Sequence, residues 1–338
     1  MRTGRPRYTI RDFLSMREGA VVMATVVMIA LFSLLNSGFF TLSNSKVLAD
    51  FVVGNVAVAA AQVMLMIVGE IDLSVGQVYA LVPYLMYMVY QLSPAGPPKY
   101  GLGFIASIPA AILVAALVGL INGVVTVRLR VPSLIATLGM DYFLGGFIIF
   151  ISSGEYQIMP TQQPFTALFG GGVIAGFQLN YIWTAAALIL LAIVLARMRH
   201  GIWSIATGSN LFGSREVGVG IHRTKIMNFV LASVIAGLWG IFIANRPFTF
   251  GASGVADPTL GGDTLTLESI AAAVIGGTSL LGGSGTVIGA LAGSLLIAVL
   301  QDGLILVGAT AYIYQTLLGA AIIFSMALNV TARKWARR

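Results

Sequence analysis

Ten apolar runs, each near the length of a bilayer crossing, recur along the 338 residues of this chain. They fall at about 19–40, 47–68, 75–92, 103–127, 131–152, 181–197, 226–245, 265–281, 285–308 and 311–330. A helix needs about 20 apolar residues to cross the hydrocarbon core, and only helices or closed barrels satisfy their backbone there. The runs therefore predict an all-α integral membrane protein with about ten transmembrane helices. Composition agrees, with 58% hydrophobic and 9% charged residues, against about 25% charged in a soluble domain. A soluble enzyme, a secreted disulfide scaffold and a disordered regulator are excluded. With no cysteine, thiolate metal sites, iron–sulfur clusters and cysteine nucleophiles are excluded too.

The charges report sides. A net charge of +7 in a soluble protein would suggest nucleic acid; here it follows the loops, so the expected surrounding partner is membrane lipid. With the N-terminus inside, 16 of the 19 lysines and arginines fall in cytoplasmic segments, leaving Lys46, Lys99 and Arg246 outside. That asymmetry predicts cytoplasmic termini and an even span count. The basic stretch from Arg2 to Arg17 leads into a full-length apolar run without a small-residue cleavage site, which reads as a retained first span. The whole chain, 1–338, is expected to be one transmembrane domain with cytoplasmic tails at 1–18 and 331–338. Segments 153–180 and 246–264 are expected outside, and 197–225 forms the long cytoplasmic connection. The eighth run is short, and Gly276, Gly277, Gly282 and Gly283 predict that it is broken. Residues 68–76 echo 275–283, with two glycines and a leucine aligned, as in transporters built from internal repeats.

Chemistry-bearing residues are few. No lysine follows a glycine, so the chain carries no phosphate-binding loop. His200 and His222 stand 22 apart and read as solvated loop histidines, while Gly170, Gly171 and Gly172 lie on the outer side. No metal site and no catalytic set is expected. Glu70, Asp72 and Ser74 sit between two apolar runs. They read either as a cytoplasmic turn whose acid and hydroxyl cap the next helix, or as part of a translocation pathway. Asn122, Gln62, Glu268, Gln301 and Asp302 lie within or at the ends of apolar runs, with interhelical hydrogen bonding as the alternative reading. Gly285, Gly289 and Gly293 form two GxxxG steps, expected to pack one helix closely on another.

The cytoplasmic connection spends aromatic residues, Trp203 and Phe212, where water is the default neighbour. Ser209 or Asn210 is placed to cap a short helix over 211–217 that Gly218 or Gly220 would end. Such a helix shows Leu211, Phe212 and Val217 beside Arg215 and Glu216. That favours docking of a cytoplasmic partner over packing on span ends.

Three motifs carry a family resemblance. Gly69-Glu-Ile-Asp-Leu-Ser-Val-Gly76 resembles the Gly-Gly-Ile-Asp-Leu-Ser-Val-Gly signature of the membrane permeases of ribose-type sugar ABC importers. Ala206-Thr-Gly-Ser-Asn210, followed by Arg215 and Gly220-Ile221, resembles their cytoplasmic Ala-Ile-Gly-x-Asn stretch. Ile270 to Gly289 is similar to their most distinctive segment. Here Glu70 replaces a glycine, Gly213-Ser214 replaces paired alanines, and Val217-Gly218-Val219 replaces a Leu-Ser pair. The resemblance implies a type II-like importer permease, in a bacterial cytoplasmic membrane, moving a small sugar-like solute. It implies ATPase coupling through Trp203, Gly208, Asn210, Phe212, Arg215, Glu216 and Gly220. Pathway or gating candidates are then Glu70, Asp72, Ser74, Asn122, Glu268, Thr278 and Gln301. The implied partners are an ABC ATPase subunit, which would bind ATP and Mg, a periplasmic or extracellular solute-binding protein, and a second, identical or paralogous, permease. A branched-chain amino-acid or nucleoside importer is the alternative within transport; an ion-coupled carrier and a membrane enzyme are the alternatives outside it.

Overall fold

The computed structural model describes residues 18–91, 102–154, 157–158, 173–174, 177–245, 255–256, 262–310 and 312–323. The tails at 1–17 and 331–338 and most of the two long outer segments lie outside the described residues. Each apolar run holds a helix: α1 (Gly19–Leu35), α2 (Leu42–Ile67), α3 (Val75–Gln91), α4 (Leu102–Val127), α5 (Ser133–Ser152), α6 (Leu179–Arg197), α9 (Ile221–Ala244), α10 (Gly262–Ile275), α11 (Val287–Leu306) and α12 (Tyr312–Ile323). Between α6 and α9 come α7 (Arg199–Ser209) and α8 (Leu211–Glu216). Among the described residues, six of the helices are long and apolar enough to cross a membrane; α1, α3, α10 and α12 are shorter there.

The centre is α2, whose residues from Val56 to Ile67 are at most 1% exposed. It packs against α9, α10, α11 and α6, while α9 also runs along α3 and α4. Small residues make these approaches possible. Pro83 within α3 has no N–H to give the carbonyl of Tyr79, and Gly240 of α9 packs so closely on that carbonyl that a Cβ would overlap it. By contrast α5 shows Tyr142, Phe143 and Phe150 to its surroundings, the expected dress of a helix facing lipid.

The bundle has two distinct ends. At one end strands β1 (Gln157–Ile158) and β4 (Val255–Ala256) pair antiparallel, joining the two segments expected outside. A second two-residue pair, β2 (Val173–Ile174) with β3 (Phe177–Gln178), leads into α6. At the other end lie α7 and α8, together with the start of α1, where Glu18 accepts a 2.7 Å hydrogen bond from Thr286.

The long connection at 197–225 is thus not a loop but two helices. Asn210 caps α8, its Oδ1 accepting from the Gly213 N–H at 2.9 Å. The helix closes at Gly218 (φ +80°), with Gly218 N–H bonding to Arg215 and Val219 N–H to Ser214. The expected helix over 211–217 is one residue shorter, and Asn210 rather than Ser209 caps it.

Candidate functional site: two broken helices and a glycine junction

Two helices end by the same device. Gly69 (φ +82°) follows α2, and Gly277 (φ +91°) follows α10. In each, the glycine N–H returns to the carbonyl three residues back and the next N–H to the one five back: Gly69 to Met66 and Glu70 to Leu65, then Gly277 to Val274 and Thr278 to Ala273. This C-terminal motif uses a left-handed residue that glycine adopts without a Cβ clash. The echo between 68–76 and 275–283 is therefore shifted by one: Gly69 corresponds to Gly277 rather than Gly276. After the break the chain stays non-helical until α3 at Val75, and until α11 at Val287.

The first segment does not form a solvated turn. Asp72 and Ser74 are fully buried, because the chain runs back along α2 until the Asp72 carbonyl accepts from Gln62 Nε2 at 2.6 Å. Buried non-helical backbone persists only where protein satisfies it, and four helices do so here. Asp72 Oδ1 accepts from the Ser74 N–H (2.8 Å) and the Ser74 hydroxyl (2.7 Å). Asn122 of α4 donates to Asp72 Oδ2 (3.2 Å) and to Ser74 Oγ (2.8 Å). Thr137 of α5 accepts from the Leu73 N–H at 3.0 Å. Thr266 of α10 accepts from the Gly76 N–H at 3.0 Å and donates to the Leu73 carbonyl at 3.2 Å. Asp72 and Ser74 stand just before α3, where the Ser74 carbonyl accepts from the Val78 N–H.

The second segment is held by backbone. Gly276 and Gly289 face each other so closely that a Cβ on either would overlap the other's carbonyl, and Gly293 packs likewise on Ala272. Gly285 precedes α11 and touches Thr278 and Val63 instead. The expected double GxxxG face is thus one helical step, Gly289–Gly293, plus a loop glycine. Buried Thr278 belongs to this turn.

The two segments meet α7 at one point. The Gly283 N–H donates to the Ile67 carbonyl at 2.8 Å, and the Ser209 hydroxyl donates to the Gly283 carbonyl at 3.3 Å. Gly208 lies between them; a Cβ there would overlap the Ile67 oxygen and crowd Gly283. Beside this junction Lys225 of α9 pairs with Glu70 at 2.5 Å, so the glutamate that departs from the motif has a built-in counter-ion.

The remaining candidates separate. Glu268 of α10 accepts from Tyr314 of α12 at 2.6 Å and from Asn55 of α2 at 3.4 Å, a cluster away from Asp72. Asp302 accepts from Asn44 at 2.7 Å, and half-buried Gln301 beside it joins neither cluster. His200 is no free loop histidine; its Nε2 bonds to the Asn228 amide at 3.0 Å. Of the coupling set, Gly208 sits in the junction, Asn210 caps α8, Gly220 precedes α9, and Trp203 lies under Arg199 at 4.9 Å. Phe212 (80% exposed), Arg215 and Glu216 offer a contact surface, with Val217 beside them and Asn210 and Gly220 exposed at its edges. Sequence reasoning missed Lys225, Thr137 and Thr266. The signal available was hydroxyls interrupting apolar helices, which in lipid must find partners.

Comparison with known proteins gives consistent matches. Residues 45–326 match the family model described as branched-chain amino acid transport system / permease component. The xylose/arabinose import permease protein XylH of Sulfolobus acidocaldarius is 36% identical over 319 residues, 94% of this chain and 86% of the relative. The autoinducer 2 import system permease protein LsrC of Yersinia pseudotuberculosis is 29% identical over 310 residues, 91% of this chain and 83% of the relative. No solved structure matches the chain.

Proposed function

The chain belongs to the family of branched-chain amino acid transport system permease components, and from that premise we propose that it is the membrane subunit of an ABC importer for a sugar-like solute. The pentose permease among its relatives and the three ribose-type motifs favour a sugar over an amino acid. The observation that carries the mechanism is the junction at Gly208. There the carboxyl end of α7 touches the end of α2 at Ile67 and the second segment at Gly283, so a displacement of α7 and α8 moves the end of α2 and the segment leading into α11 together.

On this reading an ATPase subunit, binding ATP and Mg, docks on α8. The chain itself holds no cofactor. Hydrolysis rocks α7 and α8, and the segments 68–74 and 276–286 act as gating elements by position. Asp72, Ser74, Asn122 and Thr278 keep those segments in register, and Glu70 links the first of them to α9. Glu268 and Gln301 are the candidates left for solute contact. A solute-binding protein delivers at the end formed by β1 and β4, and a second permease completes the pathway. The ten helices alternate direction across the cytoplasmic membrane with both termini inside. Single cysteines at Val217 and Ser253 should then react with impermeant reagents from opposite sides; labelling from one side would refute the topology.

Docking is tested at the exposed residues. Removing one partner of an interfacial charge pair costs about 2–5 kcal/mol, so Arg215→Ala with Phe212→Ala should abolish co-purification of the ATPase while leaving the permease inserted and folded. Solute-stimulated ATP hydrolysis and uptake should fall together. Normal assembly and coupling in that double variant would remove α8 as the docking surface.

A further inference from the structure

We propose that the groove between the carboxyl end of α4 and the amino end of α9 is a binding site for an anionic phospholipid. The groove encloses about 610 Å³ beside α8. Its mouth is lined by Arg128, Arg215 and Arg223, with His222 beside them and no carboxylate in the lining. Among the described residues the one ion pair is Lys225–Glu70, so none of the three guanidinium groups is ion-paired there. The amino end of α9, which no side chain caps, adds its positive dipole end to the same mouth.

The walls change character with depth. Leu120 and Val124 of α4 and Ile226 and Met227 of α9 line the inner part. Leu120 stands eight residues before Arg128, about 12 Å along the helix, within a span-length apolar stretch. The groove therefore begins at a basic rim and continues as an apolar slot along two membrane helices. A soluble anion would use only the rim, and an acidic segment of a partner protein would leave the slot empty. A phosphate headgroup with an acyl chain fills both, as basic pockets between membrane helices do for anionic lipids. A neighbouring cavity of about 300 Å³ shares Arg223 and Met227 and adds Arg199 and Trp203. The indole suits the headgroup level, where tryptophan is enriched. A lipid seated here would strap α4 to the coupling helices.

The test needs neither ATPase nor solute, so its outcome is independent of the transport reading. The purified full chain is offered equal phosphatidylglycerol and phosphatidylcholine, and retained lipid is counted by native mass spectrometry. The wild type should retain phosphatidylglycerol selectively. Arg128→Gln with Arg223→Gln should lower that preference about five-fold for each charge removed. Met227→Trp, which fills the slot and leaves every charge in place, should lower phosphatidylglycerol occupancy as well. Millimolar inorganic phosphate should leave the bound lipid in place. Unchanged preference in the double arginine variant, or unchanged phosphatidylglycerol occupancy in Met227→Trp, overturns the proposal. Displacement by inorganic phosphate would make the site one for free anions, and displacement by added ATPase subunit would assign the groove to the partner protein; both overturn it.

Discussion

Segments 68–74 and 276–286 meet the same physical problem with opposite chemistry. Each follows a helix that a left-handed glycine ends, and each leaves backbone groups that lipid cannot satisfy. The first is stitched by side chains: Gln62, Asn122, Thr137 and Thr266 reach in from four helices to Asp72, Ser74 and their backbone. In the second, Gly276, Gly289 and Gly293 let backbone pack on backbone. A side-chain network tolerates a small shift by lengthening hydrogen bonds, whereas carbonyls in contact with glycine Cα atoms have nowhere to yield. The contrast suggests that the first segment adapts during transport while the second serves as the rigid fulcrum.

The largest expected effects therefore belong to the second segment and its junction. In Gly208→Ala the new methyl overlaps the Ile67 carbonyl, which is backbone and cannot rotate away. In Gly276→Ala it overlaps the Gly289 carbonyl. Overpacking typically costs about 1–3 kcal/mol, and contact with backbone places these two at the upper end or beyond. Thermal unfolding of the purified permease should show a large fall in midpoint, or no folded protein. A wild-type midpoint in Gly276→Ala would mean that the fulcrum is as compliant as the first segment.

A smaller, graded effect is expected at Asp72. Asp72→Ala strands the Ser74 N–H, the Ser74 hydroxyl and one Asn122 donor in a dry interior. Each unsatisfied buried group costs about 1–3 kcal/mol, reduced where Asn122 turns wholly to Ser74. Asp72→Asn keeps one acceptor oxygen for Ser74 and should cost less. Uptake should fall in the order Ala then Asn while remaining dependent on ATP. Equal loss in both variants would indicate that the carboxylate charge, rather than the acceptor geometry, is what matters.

Much of this was legible in the sequence, for reasons that differ by feature. Each apolar run holds a helix because hydrophobic length is a local property, and the broken eighth run was marked by its glycines. The cap and stop of α8 could be narrowed to Ser209 or Asn210 and to Gly218 or Gly220 because capping is decided within a few residues. The depth of Asp72 was not legible. A polar stretch between two apolar runs looks like a turn in water unless the partners at Asn122, Thr137 and Thr266, distant in sequence, are known to converge on it. The same holds for Gly208, whose role depends on Ile67 and Gly283 arriving from elsewhere. Gly285 misled because a four-residue spacing implies a shared face only where the chain is already helical.

The finest distinction between the two segments is a charge. Glu70 and Lys225 join the first segment to α9, and among the described residues the second segment has no such ion pair. Their side chains are 12% and 19% exposed, so water weakens the attraction without removing it. Pairs with this much solvent access are worth roughly 0–1 kcal/mol. A double-mutant cycle with Glu70→Gln and Lys225→Met should yield a coupling energy within that range, and it should shrink as salt screens the pair. Either single substitution should change the unfolding free energy by no more than about 1 kcal/mol yet alter how closely ATP hydrolysis follows solute addition, since α9 continues directly from the coupling helices. Restoring Glu70 to the glycine of the related motif, together with Lys225→Met, should recover stability but not coupling. If the cycle gives no interaction energy and coupling is untouched, the first segment is tied to α9 by packing alone, and the two segments differ only in how their backbones are satisfied.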